Sequence, residues 1–225
     1  MGRETGAVAE PGAHPLKLAS LLLQYPTPEL WAARGELRAA VGALAAGRPR
    51  AALERFLDSL DGRQLGECQR DYVETFDFSR RTSLHLTYHR WGDLRQRGLA
   101  LLRLKQRYAD AGLELADGEL PDYLPVMLEF CALERERGLA AIDEHREALE
   151  LVRASLRESG SPYAHLLDAV AAELPGLTRR QAARAARLAA EGPPSEEVGL
   201  EPFAPPEVMP APGAEAIPGG VGRSG

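Results

Sequence analysis

Two cysteines, Cys68 and Cys131, are all that this chain of 225 residues carries. A secreted disulfide scaffold needs more, and so does a four-thiolate zinc site or an iron–sulfur cluster held by protein thiolates alone. Aromatic residues are scarce at 6%, so the places where they cluster carry information. Long apolar runs are missing: the strongest, Leu21-Leu22-Leu23, stops at Tyr25-Pro26, far short of the ~20 residues that cross a bilayer. A basic excess is missing as well. The 27 Lys and Arg face 33 Asp and Glu for a net charge of −6, which disfavours nucleic acid and suits a basic peptide partner. No Gly-x-Gly-x-x-Gly, Lys-bearing phosphate loop or Gly-x-Ser-x-Gly elbow occurs. The N-terminus follows Arg3 with acidic, glycine and proline residues and lacks the layout of a secretory signal. A cytoplasmic protein without membrane insertion is expected.

What the chain has in abundance is Ala, Leu, Glu and Arg, all strong helix formers. The expected fold class is all-α: a single compact helical bundle at 15–191, a flexible N-terminus at 1–14, and a disordered Pro/Gly-rich tail at 192–225. The tail contains Gly192-Pro193-Pro194, Ala204-Pro205-Pro206 and Pro218-Gly219-Gly220 and has too little apolar surface to offset its ordering entropy. Periodicity and punctuation predict helices near 15–24, 28–46, 50–60, 63–77, 93–111, 121–136, 138–158, 162–173 and 178–190. Thr27-Pro28 supplies an N-cap and a first-position proline, Thr178 and Gln181 have capping-box spacing, and Asp61-Gly62 separates two helices. In the fifth helix Leu94, Gly98, Leu101, Leu102 and Tyr108 fall on one face; in the sixth, Tyr123, Val126, Met127 and Phe130 do.

One stretch lacks a helical stripe. After an amphipathic segment with Tyr72 and Phe76, residues 78–93 bring Tyr88, Trp91, His85, His89 and three arginines into a connection. Such a connection is either packed as a lid or used for binding. His85 and His89 are four apart, the spacing of two ligands on a helix, yet no third ligand accompanies them. The other reading has one histidine bonding loop backbone while the second is exposed. A second segment runs Leu120-Pro121-Asp122-Tyr123-Leu124-Pro125 to Leu128-Glu129-Phe130. Pro121 suits a helix start. Asp122 and Glu129, seven apart, would then share one helical face beside the Tyr123–Phe130 stripe. They form either an acidic strip along an apolar groove able to hold a basic amphipathic peptide, or a helix-dipole residue and a solvated or paired glutamate. No nucleophile accompanies them as a general acid–base pair requires.

The run Tyr72-Val73-Glu74-Thr75-Phe76-Asp77, the run Thr82-Ser83-Leu84-His85-Leu86, and the segments 89–98 and 120–130 together resemble the nitrate reductase molybdenum-cofactor assembly chaperones, also called the nitrate reductase delta subunit or NarJ type. The opening Leu18-Ala19-Ser20-Leu21-Leu22 leading to Tyr25-Pro26 is similar to that family too, and the likeness spans roughly 16–190. Two positions depart from the wider superfamily: Thr75 stands where Leu is frequent, and Tyr123 where His is frequent. The tyrosine is usual in the nitrate reductase branch.

The resemblance implies an all-helical chaperone rather than an enzyme, with no cofactor or metal of its own. Its partner would be the apo catalytic (alpha) subunit of nitrate reductase, bound through that subunit's N-terminal segment during iron–sulfur and molybdenum-cofactor insertion. Molybdenum-cofactor delivery proteins would be further partners. A molybdenum-cofactor or nucleotide-binding carrier in the same pathway is the alternative. The expected client-peptide site is a groove between the 72–76 and 122–130 helices, roofed by 82–92 and built from Tyr72, Phe76, His85, His89, Trp91, Asp122, Tyr123 and Glu129. Arg95 and Arg97 are expected to hold the connection by ion pairs.

Overall fold

A computed structural model describes residues 14–192. The expected flexible N-terminus at 1–14 and the expected tail at 192–225 therefore lie almost wholly outside the described residues. Within them the chain is all-α: α1 (Pro15–Leu22), α2 (Pro28–Ala32), α3 (Arg34–Gly42), α4 (Arg48–Asp58), α5 (Leu65–Phe76), α6 (Tyr88–Trp91), α7 (Arg95–Asp110), α8 (Leu124–Leu133), α9 (Arg135–Asp143), α10 (Arg146–Glu158), α11 (Tyr163–Glu173) and α12 (Arg179–Glu191), with one 3-10 turn at Arg80–Thr82.

Local chemistry sets several boundaries where the sequence placed them. Thr27 Oγ1 accepts from the Leu30 amide at 3.2 Å ahead of Pro28. Thr178 Oγ1 accepts from the Gln181 backbone amide at 3.2 Å, while the Gln181 side-chain Oε1 accepts from the Thr178 backbone amide at 3.0 Å. Each cap satisfies amides that the first helical turn leaves unpaired. Gly62 turns the chain between α4 and α5 with φ +74°, a conformation that glycine adopts without steric cost.

α11 and α1 form the centre. α11 packs chiefly on α4 and also on α1 and α10, while α1 packs on α8. α8 buries Leu124, Pro125, Met127, Leu128, Phe130 and Cys131. It is apolar on nearly every side because neighbours cover it nearly all round. One contiguous core joins Leu16, Leu53, Phe56, Leu86, Met127, Leu149 and Leu167 across the helices.

Three expectations need correction. The helix expected at 28–46 divides at Ala33 into α2 and α3, and the one expected at 138–158 divides at Glu144–His145 into α9 and α10. Neither break falls on a proline or glycine; tertiary packing makes them, by turning α3 against α4 and α1, α9 against α8, and α10 against α11 and α12. The stripe read for the fifth helix is rotated. α7 buries Ala100, Leu104 and Tyr108, whereas Leu99 and Leu102 are 58% and 64% exposed.

The α8–α9 contact rests on Gly138. A Cβ there would lie 2.5 Å from Cys131 Cα and 2.6 Å from Cys131 N, backbone atoms that cannot step aside. Burial pushes the Cys131 thiol up to about 12, so it behaves as a small apolar side chain. Gly138→Ala should force the two helices apart at a cost of about 2–3 kcal/mol, lowering Tm by roughly 4–10 °C in thermal unfolding followed by circular dichroism.

Candidate functional site

The backbone first brings the two informative segments together. The Leu124 amide donates to the Leu84 carbonyl at 2.8 Å, and the Leu86 amide donates to the Asp122 carbonyl at 3.0 Å. These bonds form an isolated antiparallel bridge between His85 and Tyr123. Ahead of the bridge, residues 120–123 form a turn in which the Tyr123 amide donates to the Leu120 carbonyl at 3.1 Å, so α8 begins at Leu124 with Pro125, not Pro121, in its first turn. Pro121 is instead fixed by its carbonyl, which accepts from Tyr108 Oη at 2.8 Å.

That turn delivers Asp122 to the interior, where it is 0% exposed. His85 Nδ1 donates to Asp122 Oδ1 at 3.1 Å. Thr87 Oγ1 donates to Oδ2 in a short bond. Arg97 Nη2 approaches Oδ2 at 3.4 Å, and Arg97 Nε donates to Thr87 Oγ1 at 3.2 Å. Burial by itself would push the Asp122 carboxyl up. The His85 and Thr87 hydrogen bonds and the His85 and Arg97 charges outweigh burial and hold it below its usual value.

The roof is fastened by the second histidine. His89 Nε2 donates to the Ser83 carbonyl at 2.8 Å, while its buried Nδ1 meets no hydrogen-bond partner. Burial holds this imidazole below its ordinary range. Gly92 then closes α6 with φ +53°. One histidine therefore bonds loop backbone, as one of the two readings expected. The other bonds Asp122 with its side chain 35% exposed. Among the described residues, no group of three His, Cys, Asp or Glu side chains is arranged to hold a metal.

Beside the knot lies an aromatic cluster. Tyr72 packs edge-on to Tyr25 (centroids 5.5 Å apart) and Tyr163 (5.8 Å) and tilted against Phe76 (4.8 Å). Its hydroxyl donates to the Leu23 carbonyl at 3.1 Å. That bond uses its only proton, so Tyr123 Oη donates to Tyr72 Oη at 3.2 Å. The Tyr123 ring in turn lies 5.2 Å from the His85 ring at 33°. Burial, the Tyr123 hydroxyl and the Asp77 carboxylate all push the Tyr72 hydroxyl up, and burial and Asp77 push that of Tyr123 up.

The structure thus joins Tyr72, Phe76, His85, His89, Asp122 and Tyr123 in one cluster, of which Tyr72, Phe76, His89 and Asp122 are buried. It does not place Asp122 and Glu129 on one helical face. Asp122 precedes α8, whereas Glu129 lies on it and pairs with Lys17, the side chains 47% and 40% exposed. Trp91 packs 6.1 Å from His145 and borders a different cleft with Arg103 and Arg107. Arg97 reaches the knot as expected, whereas Arg95 makes no ion pair among the described residues. Sequence reasoning missed the roles of Thr87, Tyr25 and Tyr163. Thr87 is a buried polar residue between two charged ones, and nothing local signals that.

These residues fall within a match to known proteins. A family profile described as "Nitrate reductase delta subunit" matches residues 42–169. The chain belongs to the nitrate reductase delta subunit family. It is 32% identical over 168 residues to the probable nitrate reductase molybdenum cofactor assembly chaperone NarJ of Bacillus subtilis (strain 168), covering 74% of this chain and 91% of that one. It is 36% identical over 157 residues to the nitrate reductase molybdenum cofactor assembly chaperone NarJ of Escherichia coli (strain K12), covering 68% and 66%. To the probable chaperone NarW of the same strain it is 32% identical over 159 residues, covering 69% and 65%. Of the segments that carried the sequence resemblance, 82–86, 89–98 and 120–130 meet at Asp122 through His85 and Arg97, and 72–77 joins them through the Tyr72–Tyr123 bond.

Removing one partner from a buried ionic cluster strands the others. Asp122→Ala should cost about 3–5 kcal/mol, roughly 10 °C in Tm. The pH dependence has a definite sign. His89 is harder to protonate folded than unfolded, so its stabilisation is complete above the unfolded value of 6.5 and declines as pH falls below it. Asp122 is easier to ionise folded than unfolded, so its contribution is complete above 3.8 and is lost as pH falls through the lowered folded value. Tm measured from pH 8 to pH 3 should fall continuously on the acid side. His89→Gln, which keeps a donor for Ser83, should flatten part of the decline below pH 6.5.

Proposed function

We propose that this chain is an assembly chaperone for a nitrate reductase, holding the N-terminal segment of the apo catalytic subunit while molybdenum cofactor and iron–sulfur clusters are inserted. The roles stated in its relatives' names support the coarse role. The observation that carries the finer reading is the Asp122 knot beneath a part-exposed aromatic face. Tyr25 is 43% exposed, Phe78 is 80% exposed, and Tyr123 and His85 are half-buried.

The reading divides the proposed client-binding residues into two tiers. His85, Tyr123 and Glu129 meet the client, joined by Tyr25 and Phe78. Tyr72, Phe76, His89 and Asp122 act from beneath by fixing their positions. Trp91 meets the client where the segment runs past α6 toward His145. An amphipathic client helix lays its apolar residues on the aromatic face, and its basic residues find Asp77 and Glu129. These carboxylates set orientation and encounter rate more than affinity. Nothing is chemically transformed, and binding delays premature docking of the client in the cytoplasm. Molybdenum-cofactor delivery proteins meet the chaperone–client complex rather than the chaperone alone.

The test is a fluorescence-anisotropy titration of a labelled peptide carrying the catalytic subunit's N-terminal segment. Tyr25→Ala and Phe78→Ser remove exposed side chains and should leave Tm within about 1–2 °C of the parent, yet together weaken binding by about tenfold or more. Affinity unchanged in the double variant removes this face from the account.

A further inference from the structure

A second cleft, about 450 Å³, lies among α4, α10, α11 and Leu177. Its lining follows from helical spacing. α10 presents Arg146, Glu150, Arg153 and Arg157 in one stripe, and α4 presents Arg48 and Arg55 two turns apart. Five guanidinium groups there face only two carboxylates, Glu150 and Asp168, leaving an excess of three positive charges in a chain whose net charge is −6.

The carboxylates are already committed. Glu150 accepts from Arg146 Nε at 3.0 Å and Arg153 Nη1 at 2.5 Å. Asp168 Oδ1 accepts from Arg153 Nε at 2.8 Å and Arg157 Nη2 at 2.5 Å. Arg48 and Arg55 make no ion pair among the described residues. The decisive group is Arg146, which is only 3% exposed and whose Nη1 is buried without a hydrogen-bond partner. A guanidinium cannot give up its charge, so a stranded buried donor on it is costly. Such an orphan calls for a ligand that completes it.

We propose that this cleft binds a small phosphorylated anion, with Arg146 at the floor, Arg153 and Arg157 on one wall, and Arg48 and Arg55 at the mouth. Forked guanidinium donors match the paired oxygens of a phosphoryl group. The excess of three charges suits a diphosphate better than a monoanion. The volume fits a small molecule rather than a helix, and the apolar side of the cleft, with Ala52, Ala172 and Leu177, accepts the organic part. The site is separate from the proposed client face, so its test involves no client peptide.

The experiment is isothermal titration of the full chain with inorganic pyrophosphate at low salt, alongside Tm with and without it. The expected result is saturable one-to-one binding and a raised Tm. Arg48→Gln and Arg55→Gln, both at exposed positions, should each weaken binding by about tenfold while leaving the unliganded Tm unchanged. Arg103→Gln, in the cleft beside Trp91, should leave binding unchanged. No heat and no Tm shift would overturn the proposal. So would affinity unaffected by the Arg48 and Arg55 variants, or tighter binding of an acidic glutamate peptide than of pyrophosphate.

Discussion

The carboxylate of Asp122 sits where water does not reach, and three side chains from two other parts of the chain converge on it. Taking a charge out of water costs several kcal/mol unless the site supplies comparable stabilisation. Here His85 and Thr87 come from the connection before α6 and Arg97 from α7. The ion therefore fixes a loop that has little regular structure of its own. The backbone bridge through Leu84, Leu86 and Leu124 performs the same task from the main chain. Together with the His89–Ser83 bond, the two define the path of a connection that lacks a helical stripe.

Fixing that segment has a consequence at the surface. His85 reaches Asp122 with Nδ1 at the edge of its ring, and the ring itself packs at a tilt beside Tyr123. Tyr123 is tied by its hydroxyl to Tyr72, and Tyr72 is tied to Leu23. On the proposed reading, an aromatic face built this way is already ordered before a partner arrives, so less conformational entropy is lost on binding. The hydrogen bonds also explain why tyrosines rather than phenylalanines occupy these places, since a buried hydroxyl needs a partner. A chaperone that must hold its client and then release it gains from a face of this kind, where specificity comes from shape and modest charge rather than from very tight binding.

Much of the fold was legible in local chemistry. Thr27-Pro28, Asp61-Gly62 and Thr178-Arg179-Arg180-Gln181 act within a few residues, and the structure shows a cap or turn at each. The breaks at Ala33 and His145 were not legible, because packing between distant helices imposes them and no local residue announces them. The stripe on α7 was misread because Leu102 looks like core in composition yet faces outward, whereas small Ala100 lies at the contact with Leu104 and Tyr108. Asp122 was misplaced for a related reason. Reading it seven residues before Glu129 as one helical face presumes a helix, and a bridge to residues nearly forty positions earlier in the chain overrides that presumption. The grouping of 72–76, 82–92 and 120–130 did come from sequence, through the family likeness rather than through periodicity.

The central claim is that a client segment lies over the aromatic face that the Asp122 knot holds in place. Amide hydrogen exchange of the chain, with and without the catalytic subunit's N-terminal peptide, addresses it without any substitution. The account predicts added protection in the segments around Tyr25, Phe76–Phe78, Leu84–Leu86 and Tyr123–Glu129, with the α4 and α10 arginine cleft unchanged. Protection confined to other helices, with those four segments exchanging as fast as in the free chain, would contradict it.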